Sequence, residues 1–275
     1  MTASMACIMS ATAVQGVVRD EPVVILIAPV LALVFGFATV GLAGLGGFRY
    51  LGLSKRIVVC HDEIGEGIEV PTRKYLVPLF VSLAAVAVIG LAVAAGWLFG
   101  FDVGPLEARD SGQAKFMTAC GIAALILLAL FLGFRSSTSI RLYPSGIRRI
   151  VALRRLWSTR TIDTFVSWDD IVEFQVDEQV VGGLIEVRNP IIWLVSGMPL
   201  PGRGRLRYDE TNRLRLDAHV LVAEPNVLLG LLSSLRESPD RRRALTGARA
   251  RALLTPAPLR SRLRAASSAD GSEVS

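Results

Sequence analysis

Three stretches of the chain contain no charged residue: Pro22 to Phe48, Tyr75 to Phe101 and Phe116 to Phe134. A helix rises about 1.5 Å per residue, so even the shortest approaches the roughly 30 Å of a bilayer's hydrocarbon core. The pattern predicts three transmembrane helices. The first is expected to be permanent, because it is too long and too poorly preceded by positive charge for a cleaved signal. Apolar residues crowd into the first 134 positions. That crowding, rather than a large soluble core, explains a mean hydropathy of +0.49. No Asp, Glu, Lys, Arg or His falls inside a stretch. Ionisable groups at membrane depth usually mark ion or substrate pathways, so a pump or channel is disfavoured.

Basic residues between the stretches alternate. Arg19 stands alone before the first; Arg49, Lys55, Arg56, Arg73 and Lys74 separate the first two; Arg109 and Lys115 separate the second and third; Arg135 opens a long arginine-rich remainder. The positive-inside rule then predicts an outside N-terminus, an inside 49–74 loop and a cytoplasmic C-terminal domain in a multi-pass cell-membrane protein. Small residues four apart, Ala32/Gly36, Ala43/Gly47 and Gly96/Gly100, suit close helix packing or self-association.

The 49–74 loop reads as a short hairpin, Ile57–Val59 and Ile68–Val70, with Cys60-His61-Asp62-Glu63 at its turn. Those residue types can bind metal, but no second cluster has ligand spacing and His219 is the only other histidine. No metal or cofactor is expected. Cys7, Cys60 and Cys120 give no disulfide framework.

After Ser139 the hydrophobic period changes to two. Ile140–Leu142, a Pro144-Ser145-Gly146 turn and Ile147–Val151 form a hairpin; Phe165–Trp168, Ile171–Val176, Pro190–Val195, Leu206–Tyr208 and Leu214–Val222 supply further strands. The period then becomes helical, with Pro225 in a first turn and Val227, Leu228, Leu231, Leu232 and Leu235 as its apolar stripe. The expected assembly is a seven-stranded antiparallel meander, a small barrel capped by one helix.

The segment Thr164-Phe-Val-Ser-Trp168-Asp-Asp-Ile171 resembles the V-x-W-x-D-I signature of bacterial pleckstrin-homology-like domains attached to membrane helices. Leu142-Tyr-Pro-Ser-Gly146-Ile147 resembles their first hairpin, and Glu224 to Pro239 with Arg242 is similar to the closing helix of actinobacterial members. The resemblance covers about 137–245. It implies that Trp168 and Ile171 are core positions, with Asp169 and Asp170 at a turn. The organisation expected is an N-terminal tail 1–21, a membrane region 22–135, a pleckstrin-homology-like domain 136–245 and a basic, disordered tail 246–275.

Arg148, Arg149, Arg154, Arg155 and Arg160 are the candidate headgroup-binding residues, beside Leu156 and Trp157, which could enter an interface. The tail adds Arg241-Arg242-Arg243 and Arg249 to Arg264, without the aromatic interleaving that single-stranded nucleic acid requires. Signatures such as G-x-S-x-G, a phosphate loop or H-E-x-x-H are missing. The expectation is a non-enzymatic membrane protein presenting a module to anionic headgroups, a membrane-protein partner or a second copy, and not to nucleic acid. The alternative, an accessory subunit of a transport or secretion complex, would call for polar faces on the helices. Only Thr39, Ser82 and Thr118 offer them.

Overall fold

The computed structural model describes residues 36, 39, 50–73, 77–100, 111–156, 158–181, 187–247 and 249–262. The first apolar stretch lies outside them, save Gly36 and Thr39, both helical. The chain forms two compact units: 1–49 with 74–134, and 50–73 with 135–275.

In the first unit, α1 (Val77–Phe99) and α2 (Ser111–Gly133) are each long and apolar enough to cross a membrane. They pack together where side chains are smallest. Ala87, Gly90 and Val93 on α1 and Ala114, Gly121 and Ala124 on α2 are buried. A Cβ on Gly90 would lie 2.5 Å from the Gly121 Cα and 2.7 Å from the Met117 carbonyl. Only glycine at both positions allows that approach. Phe80, near the start of α1, meets Phe131, near the end of α2, with ring centroids 6.4 Å apart, so the two helices run antiparallel. The other large side chains point outward: Val88 is 67% exposed, Leu98 69% and Phe116 67%. Of the expected small-residue pairs, Ala32/Gly36 and Ala43/Gly47 involve residues outside those described. The observed crossing is Gly90 on Gly121.

The second unit contains two antiparallel sheets. The first has the order β1 (Val58–Asp62), β2 (Gly65–Pro71), β3 (Phe134–Tyr143), β4 (Gly146–Arg155), β5 (Ser158–Ser167); the second has β6 (Ile171–Val181), β7 (Val187–Ser196), β8 (Arg213–Leu216). The expected seven-stranded closed barrel is corrected to open sheets of five and three strands. Two differences produce this. The 49–74 hairpin is part of the sheet: β2 pairs with β3 from Ile68↔Leu142 to Pro71↔Ser139. Leu206–Tyr208 is a turn rather than a strand, because the Asp209 carboxylate accepts the Leu206 N–H at 2.6 Å and the Asp209 N–H donates back to the Leu206 carbonyl.

One core joins both sheets, including Ile68, Leu142, Ile147, Leu194 and Leu214. Trp168 and Ile171 lie in it, and the Trp168 indole donates to the Tyr143 carbonyl at 2.8 Å. Helix α3 (Pro225–Glu237) buries Leu228, Leu231, Leu232 and Leu235 against the core. Its first turn is capped by Glu224, which accepts the Val227 N–H at 2.7 Å. The unit extends past the expected boundary at 245. A 3-10 turn at Ala250–Leu254 places Ala250 and Leu254 in the same core, each 1% exposed. Apolar side chains at these positions draw in a segment that its arginines suggested would stay solvated.

Candidate functional site

Strands β4 and β5 carry all five candidate arginines. The pleat divides them. They pair without interruption from Gly146↔Ser167 to Arg155↔Ser158. Alternate residues face opposite sides, so Arg149 points to the core and Arg148 to the outer surface.

Arg149 is 1% exposed and ion-paired with Asp209, which is fully buried. Arg149 donates to Asp209 at 2.8 Å, to the Arg215 carbonyl at 2.9 Å and to the Gly204 carbonyl at 3.5 Å. Asp209 also accepts the Leu206 and Arg215 N–H groups. This is a buried charge satisfied on nearly all sides, and it ties β4 to the loop before β8. Arg149 therefore has no free face for a ligand.

Arg148 belongs to a network across the outer face of the five-stranded sheet. It holds Asp163 through two parallel hydrogen bonds and reaches Asp62 at 2.8 Å. Arg141 reaches the same Asp62 oxygen at 3.2 Å and Glu69 at 2.9 Å. Tyr143 donates its hydroxyl to Asp62, and the Cys60 thiol lies 3.9 Å from that hydroxyl. Its ring covers Gly67, where a Cβ would sit 2.8 Å from the ring. Burial and the Asp62 carboxylate push the Tyr143 hydroxyl well above its ordinary pKa. Burial raises the Cys60 thiol as well. Burial opposes ionisation of Asp62. Hydrogen bonds from Tyr143, the Ile64 N–H and Arg141, with the charge of Arg148, overcome it and hold the carboxyl below its usual range. The hydrogen bond and charge of Asp163 keep Arg148 firmly protonated against its desolvation. Every charge here faces an opposite charge, so the network clamps β1 through β5 together.

Arg154, Arg155 and Arg160 differ from these. All three are exposed, and among the described residues none is ion-paired with a carboxylate. They flank the turn between β4 and β5. Leu156 in that turn has φ +46 and is 52% exposed. Two-residue hairpin turns favour Asn-Gly because left-handed backbone is costly for bulky side chains. Here the two residues are Leu156 and Trp157, the second outside those described. A large apolar side chain held on a strained, solvent-facing turn suggests a selected role rather than a folding need.

The position of this tip follows from strand length. β3 and β4 are neighbours of ten residues each, joined by Pro144 and Ser145. A two-residue connection makes them antiparallel, so Arg154 and Arg155 return to the level where β3 begins, at Phe134 and Arg135. The basic tip therefore stands at the end of the sheet where the chain arrives from α2.

His61 is 72% exposed beside Glu66, and no group of three or more metal-ligating side chains occurs among the described residues. Asp169 pairs with Arg242 at 3.1 Å. Sequence reasoning missed Asp209 and the role of Asp62. Both act through partners at least 60 residues away in sequence, and no local spacing announces such pairs. No family model matches the chain, and neither does any curated protein or solved structure.

Proposed function

We propose that this is a non-enzymatic integral protein of the cytoplasmic membrane, whose pleckstrin-homology-like module docks on anionic headgroups through the β4–β5 tip. Two antiparallel sheets followed by one amphipathic helix favour the module. The outward apolar side chains of α1 and α2 favour the membrane. The inserted position of the helices favours a single-sided module. β2 and β3 are hydrogen-bonded neighbours, yet α1 and α2 lie between them in sequence. Two strands can pair only on one side of a bilayer, so the intervening chain must cross an even number of times. Two crossings satisfy this, and the basic residues of both flanks favour the cytoplasm as that side.

The observation that carries headgroup docking is the tip itself. Arg154, Arg155 and Arg160 surround an exposed, strained Leu156 at the sheet end nearest the chain's exit from α2. Each arginine near an anionic surface contributes about 1 kcal/mol. A protein partner has a place too: β6 is an edge strand of eleven residues carrying exposed Val172, Val176 and Val180, suited to strand addition.

The test uses the full-length chain in nanodiscs of mixed phosphatidylglycerol and phosphatidylcholine, with retained lipids counted by native mass spectrometry. Replacing Arg154, Arg155 and Arg160 together by Gln should lower the preference for the anionic lipid by roughly tenfold or more. An unchanged preference would remove the tip from lipid binding.

A further inference from the structure

The loop between β7 and β8 is drawn onto the core-side face of the β4–β5 hairpin. Leu206 is 8% exposed and packs with Val151 and Ile162, and Leu153 packs against the same group. The Gly204 carbonyl accepts the Thr164 hydroxyl. A Cβ at Gly204 would lie 2.9 Å from the Asp163 carbonyl oxygen, so glycine lets the loop come this close. Burial then alternates along the loop. Gly204 and Leu206 are buried, whereas Arg203 and Arg207 are exposed and Arg205 between them is half-buried. The residues that grip the hairpin are uncharged, and those that alternate with them are all arginine.

The hairpin meets this loop with arginines of its own. Residues directly opposite in an antiparallel pair share a face. Leu153 pairs with Arg160, and Arg155 with Ser158. Arg155 and Arg160 therefore project from the face that Leu206 covers, one step beyond Val151 and Ile162, while Arg154 projects from the other. Arg160 lies opposite Leu153 and Arg207 follows Leu206, so the two flank one apolar cluster. Residues 151–162 and 196–208 contain no Asp or Glu. The acids nearest in sequence are committed elsewhere: Asp163 to Arg148, Asp209 to Arg149 and Glu210 to Arg213. Among the described residues, no carboxylate forms an ion pair with Arg155, Arg160, Arg203 or Arg207. Two pairs of guanidinium groups, one on each wall, are gathered without an acid among them, and such a concentration of one sign attracts anions.

We propose that the hairpin and the 203–207 loop form two walls of one site, which takes a phospholipid headgroup carrying two phosphates. The proposal rests on the headgroup reading above and names its ligand. Arg155 and Arg160 take one phosphate, and Arg203 and Arg207 take the other. Guanidinium groups suit phosphate, because their paired N–H donors match its oxygens. A headgroup with a single phosphate satisfies only one wall. Leu156, exposed at the end of the hairpin, offers apolar surface that a lipid can use and a soluble diphosphate cannot.

The test places the full-length chain in phosphatidylcholine nanodiscs containing either cardiolipin or phosphatidylglycerol, matched in phosphate content, and counts retained lipids by native mass spectrometry. The unaltered chain should prefer cardiolipin to phosphatidylglycerol by about tenfold. Arg203→Gln with Arg207→Gln should erase that difference and leave the preference for phosphatidylglycerol over phosphatidylcholine in place. Leu206→Ala keeps every charge but frees the loop from the hairpin, and should erase it too. Limited trypsin digestion gives an independent readout. Cleavage after Arg203 and Arg207 should be several-fold slower with cardiolipin than with phosphatidylglycerol, and free inorganic pyrophosphate should give no protection. Equal protection by pyrophosphate would overturn the lipid assignment. Equal retention of the two anionic lipids by the unaltered chain, or a cardiolipin preference that survives both loop variants, would overturn the second wall. The headgroup reading itself would still stand if the Arg154/Arg155/Arg160 variant lost its phosphatidylglycerol preference, and would fall with the second wall if it did not.

Discussion

The helical pair and the β unit solve opposite packing problems. Between α1 and α2 the contact is made by removing side chains, Gly90 on Gly121, and the large apolar groups face outward. In the β unit the large apolar groups are inside, and even a guanidinium, Arg149, is drawn in with its carboxylate. The same chain is inverted from one unit to the other. On the membrane reading proposed above, the physical reason is the solvent each unit meets. Apolar surface costs nothing beside lipid tails, so close backbone contact decides helix packing. In water, burial decides.

Substitutions should expose that contrast. Gly90→Leu is expected to have the largest effect. It puts a side chain where the Gly121 backbone already stands, so the two helices must separate. Cross-linking of Phe80→Cys to Phe131→Cys by a short bifunctional thiol reagent should be efficient in an otherwise cysteine-free chain and fall to background when Leu is added at 90. In the β unit, Asp209→Ala leaves Arg149 buried without its partner and should cost about 3–5 kcal/mol of unfolding free energy. Double replacement by Arg149→Met with Asp209→Leu should recover much of that loss in denaturant titration.

A smaller effect is expected at the tip. Leu156→Asn with Trp157→Gly supplies the turn chemistry that φ +46 requires, and should stabilise the hairpin by about 1 kcal/mol. It should weaken anionic lipid preference at the same time. A gain in both would mean that Leu156 has no interfacial role. The smallest effect is pH-dependent. The Asp62 carboxyl is held below its unfolded range, so its contribution is present above the unfolded pKa and is lost as pH falls through the folded one. Asp62→Asn should flatten that acid limb of a thermal melt. Tyr143 behaves oppositely. Its raised pKa stabilises the fold at neutral pH, and that share is lost in strong base, from the unfolded tyrosine range upward.

The parts legible in sequence were those written in local periodicity. Charge-free stretches located α1 and α2, and the leucine spacing after Pro225 located α3 with its buried face. The Pro144-Ser145-Gly146 turn located the β3–β4 hairpin. Longer-range facts were not legible. Nothing near Ile68 says that it pairs with Leu142, on the far side of two helices. The arginines of β4 and β5 looked equivalent as a cluster. Their separation into a buried pair, a surface clamp and a free tip depends on the pleat and on Asp62, Asp163 and Asp209 arriving from elsewhere. The packing of the segment at Ala250–Leu254 was hidden because arginines at 249, 251, 260 and 262 outweighed the two apolar residues, Ala250 and Leu254, that anchor it.

We propose that α1 and α2 cross a bilayer as a pair and return β2 and β3 to one side. Single cysteines at Asp110, between the helices in sequence, and at Ser145, in the β3–β4 turn, test it in a chain lacking its native cysteines. A membrane-impermeant maleimide should label position 110 in intact cells and position 145 only after permeabilisation. Labelling of both from the same side, or recovery of the chain in the detergent-free supernatant, would contradict it.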